Sequence, residues 1–207
     1  MPKLVDPRER REAVADAVFR IAVRDGLHRA SLRTVAAEAE LNVGSVRHYF
    51  DGHSALLRFA MRTMMDRVQD RLERRLAEWG DPAPIPAPTR DRLRVEALGE
   101  LLPLDDARRA EITVFLEFGA AARTDPALAP LAREASDGTV TLVRRALRHA
   151  LGEGREPELE VVRLTALLDG LGHLGVQQPD PLSAEQCLDV LRSHLREVRL
   201  PRGGEGQ

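Results

Sequence analysis

Two adjacent stretches decide the fold: Ser31-Leu-Arg-Thr-Val-Ala-Ala-Glu-Ala-Glu-Leu41 and Asn42-Val-Gly-Ser-Val-Arg-His-Tyr-Phe50. Each opens with a residue, Ser31 or Asn42, whose side-chain oxygen can cap a helix N-terminus. Apolar residues recur at helical spacing in the first stretch, at Leu32, Val35, Ala36 and Ala39. The sequence therefore predicts two short helices joined by a tight turn, the second from about Val43 to Phe50.

A longer helix is predicted before this pair. Asp6-Pro7-Arg8-Glu9 combines an N-cap aspartate, a proline at the first helical position and a glutamate at the third. Asp25-Gly26 is the expected end of this helix, with Gly26 in a left-handed conformation. Three helices of which the last two are joined by a tight turn indicate a helix-turn-helix DNA-binding unit.

The rest of the chain also has helical patterns and no alternating strand pattern. Further helices are expected over Ser54–Trp79, Arg90–Leu102 and Asp105–Arg123, from Asp125 to Gly152, from Pro157, and after the capping box Ser183-x-x-Gln186. The proline-rich stretch Asp81–Pro88 is predicted to be a non-helical connector. We therefore predict an all-α protein with a helix-turn-helix domain over residues 1–53 and a helical regulatory domain over residues 54–207.

Composition excludes several function classes. The 31 Lys+Arg nearly balance the 33 Asp+Glu, which is unlike a histone-type protein. No apolar run approaches the ~18 residues of a membrane helix, and residues 1–11 lack the apolar core of a secretory signal. A single lysine, Lys3, leaves no P-loop or buried Schiff-base lysine, and one cysteine with scattered histidines gives no zinc-ligand spacing. We expect a cytoplasmic protein that is not an enzyme, needs no cofactor or metal, and does not enter a membrane.

Residues from about Arg10 to Leu57 resemble the DNA-binding signature of the tetracycline-repressor-like (TetR) family of bacterial regulators. The resemblance rests on the alanine-rich second helix, the Gly44-Ser45-Val46 step, the aromatic residues ending in Phe50, and the Leu56-Leu57 pair that follows. It implies a homodimeric repressor that binds a roughly palindromic operator in double-stranded DNA and responds to an unidentified small-molecule effector.

Two positions depart from the family pattern. Glu40 stands at the turn position that is often glycine, and a left-handed conformation there would cost about 1 kcal/mol. His53 stands where the family often has a lysine that contacts a phosphate. Both departures would weaken DNA binding more than they would disturb the fold.

The resemblance and the helical spacing together select the residues that face DNA. Val46 and Phe50 lie four residues apart and are expected to face inward onto Val18, Ile21 and Val35. The residues expected to contact DNA are Ser31, Arg33, Thr34, Asn42, Val43, Gly44, Ser45, Arg47, His48, Tyr49 and His53. Arg47 either pairs with a guanine edge or serves as a phosphate contact or surface ion pair, and Tyr49 either contacts DNA or belongs to the core.

In the second domain the family resemblance implies a ligand site and a dimer interface. The expected ligand-lining residues are Met61, Met64, Met65, Phe115 and Phe118, although each could equally be ordinary core. Possible polar anchors are Glu111, Glu117, Arg123, Asp169 and His173. The expected dimerisation residues are Leu164, Leu167, Leu168, Leu171, Leu188, Leu191 and Leu195, in a four-helix bundle from two subunits; alternatively these stripes pack within one chain.

A second hypothesis follows from Glu40 and His53. The chain could be a helical ligand- or partner-binding protein with weak or no specific DNA binding. An all-helical enzyme would need a catalytic pair, and the sequence offers none that we can identify.

Overall fold

The computed structural model describes residues 7–78, 86–148, 150–178 and 182–201, and within these ranges every regular element is a helix. The α-helices are α1 (Pro7–Asp25), α2 (Leu32–Glu38), α3 (Val43–Tyr49), α4 (His53–Glu78), α5 (Ala87–Gly99), α6 (Asp106–Ala122), α7 (Ala129–Leu147), α8 (Pro157–Gln177) and α9 (Ala184–Glu197). A short 3-10 helix, Leu27–Arg29, lies between α1 and α2. The predicted all-α fold is confirmed.

The predicted starts of several helices are confirmed by their caps. The Ser31 and Ser183 side chains both close capping boxes, and Asn42 caps α3. Gly26 has a φ of 86°, the left-handed conformation expected of it. The predicted N-cap Asp6, the connector residues 79–85, including Trp79 at the predicted end of α4, and the tail 203–207 lie outside the described residues.

Three predicted boundaries were wrong. Pro88 is helical, since α5 begins at Ala87. Proline is tolerated there because the backbone amides of the first turn have no acceptor within the helix, so the missing N–H costs no hydrogen bond. Helix α7 begins at Ala129, after a turn over residues 126–128, and ends at Leu147 instead of continuing to Gly152. Gly152 instead donates its backbone N–H to the Val198 carbonyl at 2.8 Å, where an added Cβ would lie 2.5 Å from the Arg199 carbonyl oxygen.

The chain forms two compact units, each with its own apolar core. Unit 1 comprises residues 1–69 and 113–135, and unit 2 comprises residues 70–112 and 136–207. This division differs from the predicted boundary at residue 53, because the first turns of α4 pack in the same core as α1–α3. The boundary predicted at residue 53 separates a DNA-binding domain from a regulatory domain, whereas the two units are defined by compactness alone. The functional boundary therefore stays a prediction.

In the described ranges, none of the helices combines the length and the apolar character that crossing a bilayer would need.

Candidate nucleic-acid interface

The start of α2 is fixed by a reciprocal pair of hydroxyl groups. The Thr34 amide donates to Ser31 Oγ at 3.1 Å, and the Ser31 amide donates to Thr34 Oγ1 at 2.8 Å. The Thr34 hydroxyl also donates to the Arg29 carbonyl at 2.6 Å. The first backbone amides of a helix have no acceptor within the helix, and these bonds supply one. They therefore fix the start of α2 in the absence of a ligand.

The turn between α2 and α3 is a Schellman motif built on Glu40. The Leu41 amide donates to the Ala36 carbonyl at 2.8 Å, and the Glu40 amide donates to the Ala37 carbonyl at 3.2 Å. Glu40 has a φ of 55°, and within the described ranges no other non-glycine residue has a positive φ. The backbone strain expected of a non-glycine residue at this turn is therefore present in the fold.

Helix α3 begins at a side-chain cap and turns its apolar residues inward. Asn42 Oδ1 accepts a hydrogen bond from the Ser45 amide at 2.7 Å. Val46 is 0% exposed and Phe50 is 4% exposed, and both lie in the core of unit 1 with Val18 and Val35. The predicted inward face of α3 is therefore confirmed, and its opposite side exposes Gly44, Arg47 and His48.

The residues expected to contact DNA fall into two groups by exposure. Ser31, Arg33, Thr34, Asn42, Gly44, Arg47, His48 and His53 are exposed, whereas Val43, Ser45 and Tyr49 are half-buried. Val43 and Tyr49 also pack against the core of unit 1. Tyr49 packs against the core on one side and is accessible on the other, so its position fits both a core role and a DNA contact.

Polar contacts hold the helix-turn-helix unit on its neighbours. Arg20 Nε of α1 lies 2.8 Å from Glu38 Oε1 at the end of α2. A hydrogen bond from Arg20 and one from Arg24 lower the pKa of the Glu38 carboxyl. The Ser54 hydroxyl, at the start of α4, donates to Asp125 Oδ2 at 2.7 Å, and this bond lowers the pKa of Asp125. These contacts join α1 to the end of α2, and the start of α4 to the segment that precedes α7.

An aromatic cluster with an arginine lies at the end of α3, and sequence reasoning missed it. The ring centroids of His48 and Tyr49 are 5.6 Å apart, and those of Phe50 and Phe59 are 5.3 Å apart. The Arg11 guanidinium carbon lies 5.4 Å from the Phe59 centroid. Nothing in the sequence pattern links Arg11 to residues about forty positions later, because the pairing is tertiary.

The residues expected to line a ligand site all belong to the core of unit 1. Met61, Met64 and Phe118 are buried, and Met65 and Phe115 are half-buried against them. Two of the suggested polar anchors have protein partners: Glu111 pairs with Arg71, and Glu117 accepts from the Leu27 amide. The ligand role of these residues stays a prediction.

The leucines expected at a dimer interface lie mainly inside unit 2. Leu164, Leu168, Leu171, Leu191 and Leu195 are buried in its core, and Leu167 and Leu188 are half-buried. This placement is the alternative that the sequence left open for these side chains, and their part in a dimer stays a prediction. A second stripe on α8 is exposed: Leu159, Val162, Ala166, Gly170 and Leu174.

Two glutamates of unit 2 are buried among arginines. The Glu100 side chain is 2% exposed and contacts Arg71, Arg75 and Arg108 at 3.3, 2.6 and 2.9 Å. The Glu160 side chain is 1% exposed and pairs with Arg155 and Arg163, each at 3.1 Å. Within the described residues, no group of three or more histidine, cysteine, aspartate or glutamate side chains is placed to hold a metal ion.

Comparisons with known proteins agree with this geometry. Residues 88–199, more than half of the chain, match the family described as the BetI-type transcriptional repressor, C-terminal. The chain is 28% identical over 203 residues to the HTH-type transcriptional regulator PksA of Bacillus subtilis (strain 168), covering 96% of this chain and 94% of that protein. It is 30% identical over 197 residues to the HTH-type transcriptional regulator BetI of Stenotrophomonas maltophilia (strain R551-3), covering 94% and 95%.

A solved structure shares the fold over nearly the whole chain. The crystal structure of a transcriptional regulator from Rhodococcus sp. Rha1 superposes with a TM-score of 0.77 at 29% identity, covering 91% of this chain and 95% of that one.

Proposed function

The chain belongs to the TetR family of transcriptional regulators, with a BetI-type C-terminal region, and from this premise we propose that it is a homodimeric repressor released from a palindromic operator by a small molecule. As a family member it is a DNA-binding transcriptional regulator. The observation that carries the finer proposal is the outward face of α3, where exposed Arg47 and His48 stand on a helix anchored by buried Val46 and Phe50.

We assign base recognition to α3 and phosphate contacts to the start of α2. An exposed arginine such as Arg47 can donate two hydrogen bonds to the O6 and N7 atoms of guanine, which is worth about 1–3 kcal/mol of discrimination. Ser31 and Thr34 are exposed but occupied in the cap of α2, so their surfaces suit phosphate contacts better than base contacts. Gly44 has no side chain to keep the backbone away from the duplex.

Dimerisation is proposed to use the exposed stripe of α8. Val162 is 64% exposed and Leu174 is 40% exposed, and Val190 of α9 is also 40% exposed. Stacking two copies of this stripe would bury apolar side chains that are otherwise in water. Two-fold symmetry would then present two copies of α3 to the two halves of a palindrome.

Effector release is proposed to act through the core of unit 1. Met61, Met64 and Phe118 share that core with Val18 and Val46 of the helix-turn-helix unit. A ligand that inserted beside these residues would have to move side chains on which α3 rests, because protein cores are close-packed. A coupling free energy of about 1–3 kcal/mol between the two sites would suffice for regulation.

The operator experiment uses the DNA upstream of the protein's own gene. Fluorescence anisotropy at matched salt compares that DNA with a random duplex of the same length. We expect tighter binding to the upstream DNA, and a loss of about 5- to 150-fold for Arg47→Ala, from the 1–3 kcal/mol above. The control Arg145→Ala removes an exposed arginine of α7 and should leave affinity unchanged. Equal binding to both duplexes would favour the second hypothesis, a helical protein without specific DNA binding.

The dimer experiment is analytical ultracentrifugation of Val162→Glu. A buried unpaired charge at a subunit interface is costly, so this variant should sediment as a monomer at concentrations where the wild type is a dimer. Val23→Glu, an exposed valine of α1, is the matched control and should remain dimeric. A dimeric Val162→Glu protein would refute the assignment of this stripe.

Effector release is tested with Met65→Ala and Phe115→Ala, because these half-buried positions tolerate truncation better than their buried neighbours. Metabolites are screened for those that lower the anisotropy of the operator complex. Both variants should respond to a hit at a shifted concentration while binding operator normally without it. An unchanged response in both would place the ligand elsewhere.

A further inference from the structure

Arg11 of α1 covers the aromatic cluster at the end of α3. Its guanidinium carbon lies 6.0 Å from the ring centroid of Tyr49, 6.0 Å from that of Phe50 and 5.4 Å from that of Phe59. These distances are within the range in which a guanidinium is attracted to the face of an aromatic ring. The planar guanidinium suits such stacking better than a compact ammonium group does.

Tyr49 is the half-buried ring that α3 contributes to the contact with Arg11. It is the last residue of α3, and the following Phe50 is extended, with a φ of −135° and a ψ of 119°. One side of the Tyr49 ring packs against the core of unit 1. Phe50 is buried, whereas Tyr49 is half-buried, so its outer side is open to solvent or to DNA.

We propose that Arg11 is a positioning residue for operator recognition, which holds the Tyr49 ring at the end of α3 and does not itself contact DNA. This inference rests on the proposed function, because it assumes that α3 meets the operator. An ordered Tyr49 binds at a smaller entropy cost, since fewer rotamers are lost when the complex forms. We expect a weakening of operator binding of about two- to fivefold when the cation–π contact is removed.

The competing role for an exposed arginine in this unit is a direct phosphate contact. The two roles differ in their salt dependence, because each phosphate neutralised adds about 0.9 to the slope of log affinity against log salt concentration. They also differ in their effect on the free protein. A positioning residue changes the environment of the Tyr49 ring before DNA is added, whereas a phosphate contact does not.

The experiment exploits the fact that Tyr49 is the single tyrosine of the chain. Incorporation of 3-fluorotyrosine gives one ¹⁹F resonance, which reports the Tyr49 environment without assignment. The variants are Arg11→Met, which removes the charge at similar length, and Arg11→Lys, which keeps the charge and loses the planar group. Arg33→Met, at an exposed arginine of α2, is the control for a phosphate contact. Circular dichroism and thermal melting establish that each variant is folded.

The expected result is a shifted or broadened ¹⁹F resonance for both Arg11 variants in the absence of DNA, with weaker operator binding and an unchanged salt slope. Arg33→Met should show the reverse, an unchanged resonance and a slope lower by about 0.9. An unchanged resonance in Arg11→Met, a lower salt slope, or wild-type operator affinity would each overturn the proposal. If wild-type protein bound no operator, the proposed function would fail, while the resonance would still decide whether Arg11 orders Tyr49.

Discussion

Glu117 of α6 accepts a hydrogen bond from the backbone amide of Leu27 at 3.0 Å, although the two residues are 90 positions apart. Leu27 opens the 3-10 helix between α1 and α2, directly after Gly26 with its φ of 86°. The carboxylate thus satisfies a backbone donor at a bend where the local chain offers no helical partner. This contact ties α6 to the connection that leads into the helix-turn-helix unit.

Removing this acceptor is expected to destabilise the protein. Glu117→Ala leaves the Leu27 amide without its charged partner, and the free energy of unfolding should fall by about 1.5 kcal/mol. Glu117→Gln keeps an oxygen that can accept, so it should cost less than half as much. Urea denaturation followed by circular dichroism measures both. Equal losses for the two variants would mean that the charge, and not the hydrogen bond to Leu27, supplies the stability.

Relieving the backbone strain at Glu40 is expected to stabilise the fold. Glycine adopts the observed φ of 55° without the steric cost that a Cβ brings. Glu40→Gly should raise the free energy of unfolding by about 1 kcal/mol, which corresponds to about 2–4 °C in the melting temperature. A lower melting temperature would contradict the assignment of strain to this turn.

The control for this variant separates strain from charge. Glu40→Gln keeps the Cβ and removes the negative charge, so its melting temperature should stay near that of the wild type. If the carboxylate also repels the operator, both variants should bind DNA more tightly, and the difference should shrink at high salt.

The elements near the proposed interface could be predicted from sequence because their signals are local. Ser31 and Asn42 cap helices that begin at the next residue, and Val46 and Phe50 share a face because they are one helical turn apart. The partners in such interactions are only three or four residues apart, so the interactions can be recognised from the sequence alone. The left-handed position at Glu40 was expected from the family resemblance, because glycine often stands at this turn position.

The remaining features depend on which faces meet, and local pattern does not decide that. On α8 both the set with Leu164 and Leu168 and the set with Val162 and Ala166 recur every three or four residues. Either could have been the inner face, and the structure buries the first. Contacts such as Arg11 with Tyr49 and Glu117 with Leu27 join segments that are distant in sequence. They depend on how the helices pack, so the sequence pattern does not reveal them.

The buried Glu100 cluster predicts a contrast between two carboxylates that share Arg108. The Glu100 side chain is 2% exposed, whereas that of Asp105 is 50% exposed. Glu100→Gln should lower the free energy of unfolding by about 3 kcal/mol, the lower end for breaking a buried pair, because its arginines remain partly in water. Asp105→Asn removes an exposed pair and should cost less than about 1 kcal/mol. Similar losses for both would show that burial does not set the strength of this cluster.

Acid should abolish the contribution of Glu100 in a defined direction. Burial raises the pKa of its carboxyl, but hydrogen bonds from Arg108 and Arg75 outweigh burial and bring the pKa below its ordinary value of 4.5. A lowered folded-state pKa means that the stabilisation is complete above the unfolded-state value and disappears as the pH falls through the folded-state value. The stability difference between wild type and Glu100→Gln should therefore be constant near neutral pH and shrink below about pH 4.5. Denaturation at a series of pH values measures it, and a difference that grows in acid would contradict this sign.

Two glycines in helices predict opposite responses to the same substitution. A Cβ at Gly175 of α8 would overlap the ring of Pro103, and the Gly175 carbonyl also accepts from Arg109. Gly175→Ala should therefore force the Pro103 segment away from α8 and cost about 1–3 kcal/mol. At Gly138 of α7 a Cβ meets no atom within 4 Å, so Gly138→Ala should stabilise by up to about 1 kcal/mol through its higher helix propensity. Chemical denaturation of the two variants tests the packing directly, since a stabilising Gly175→Ala would show that α8 does not approach Pro103 this closely.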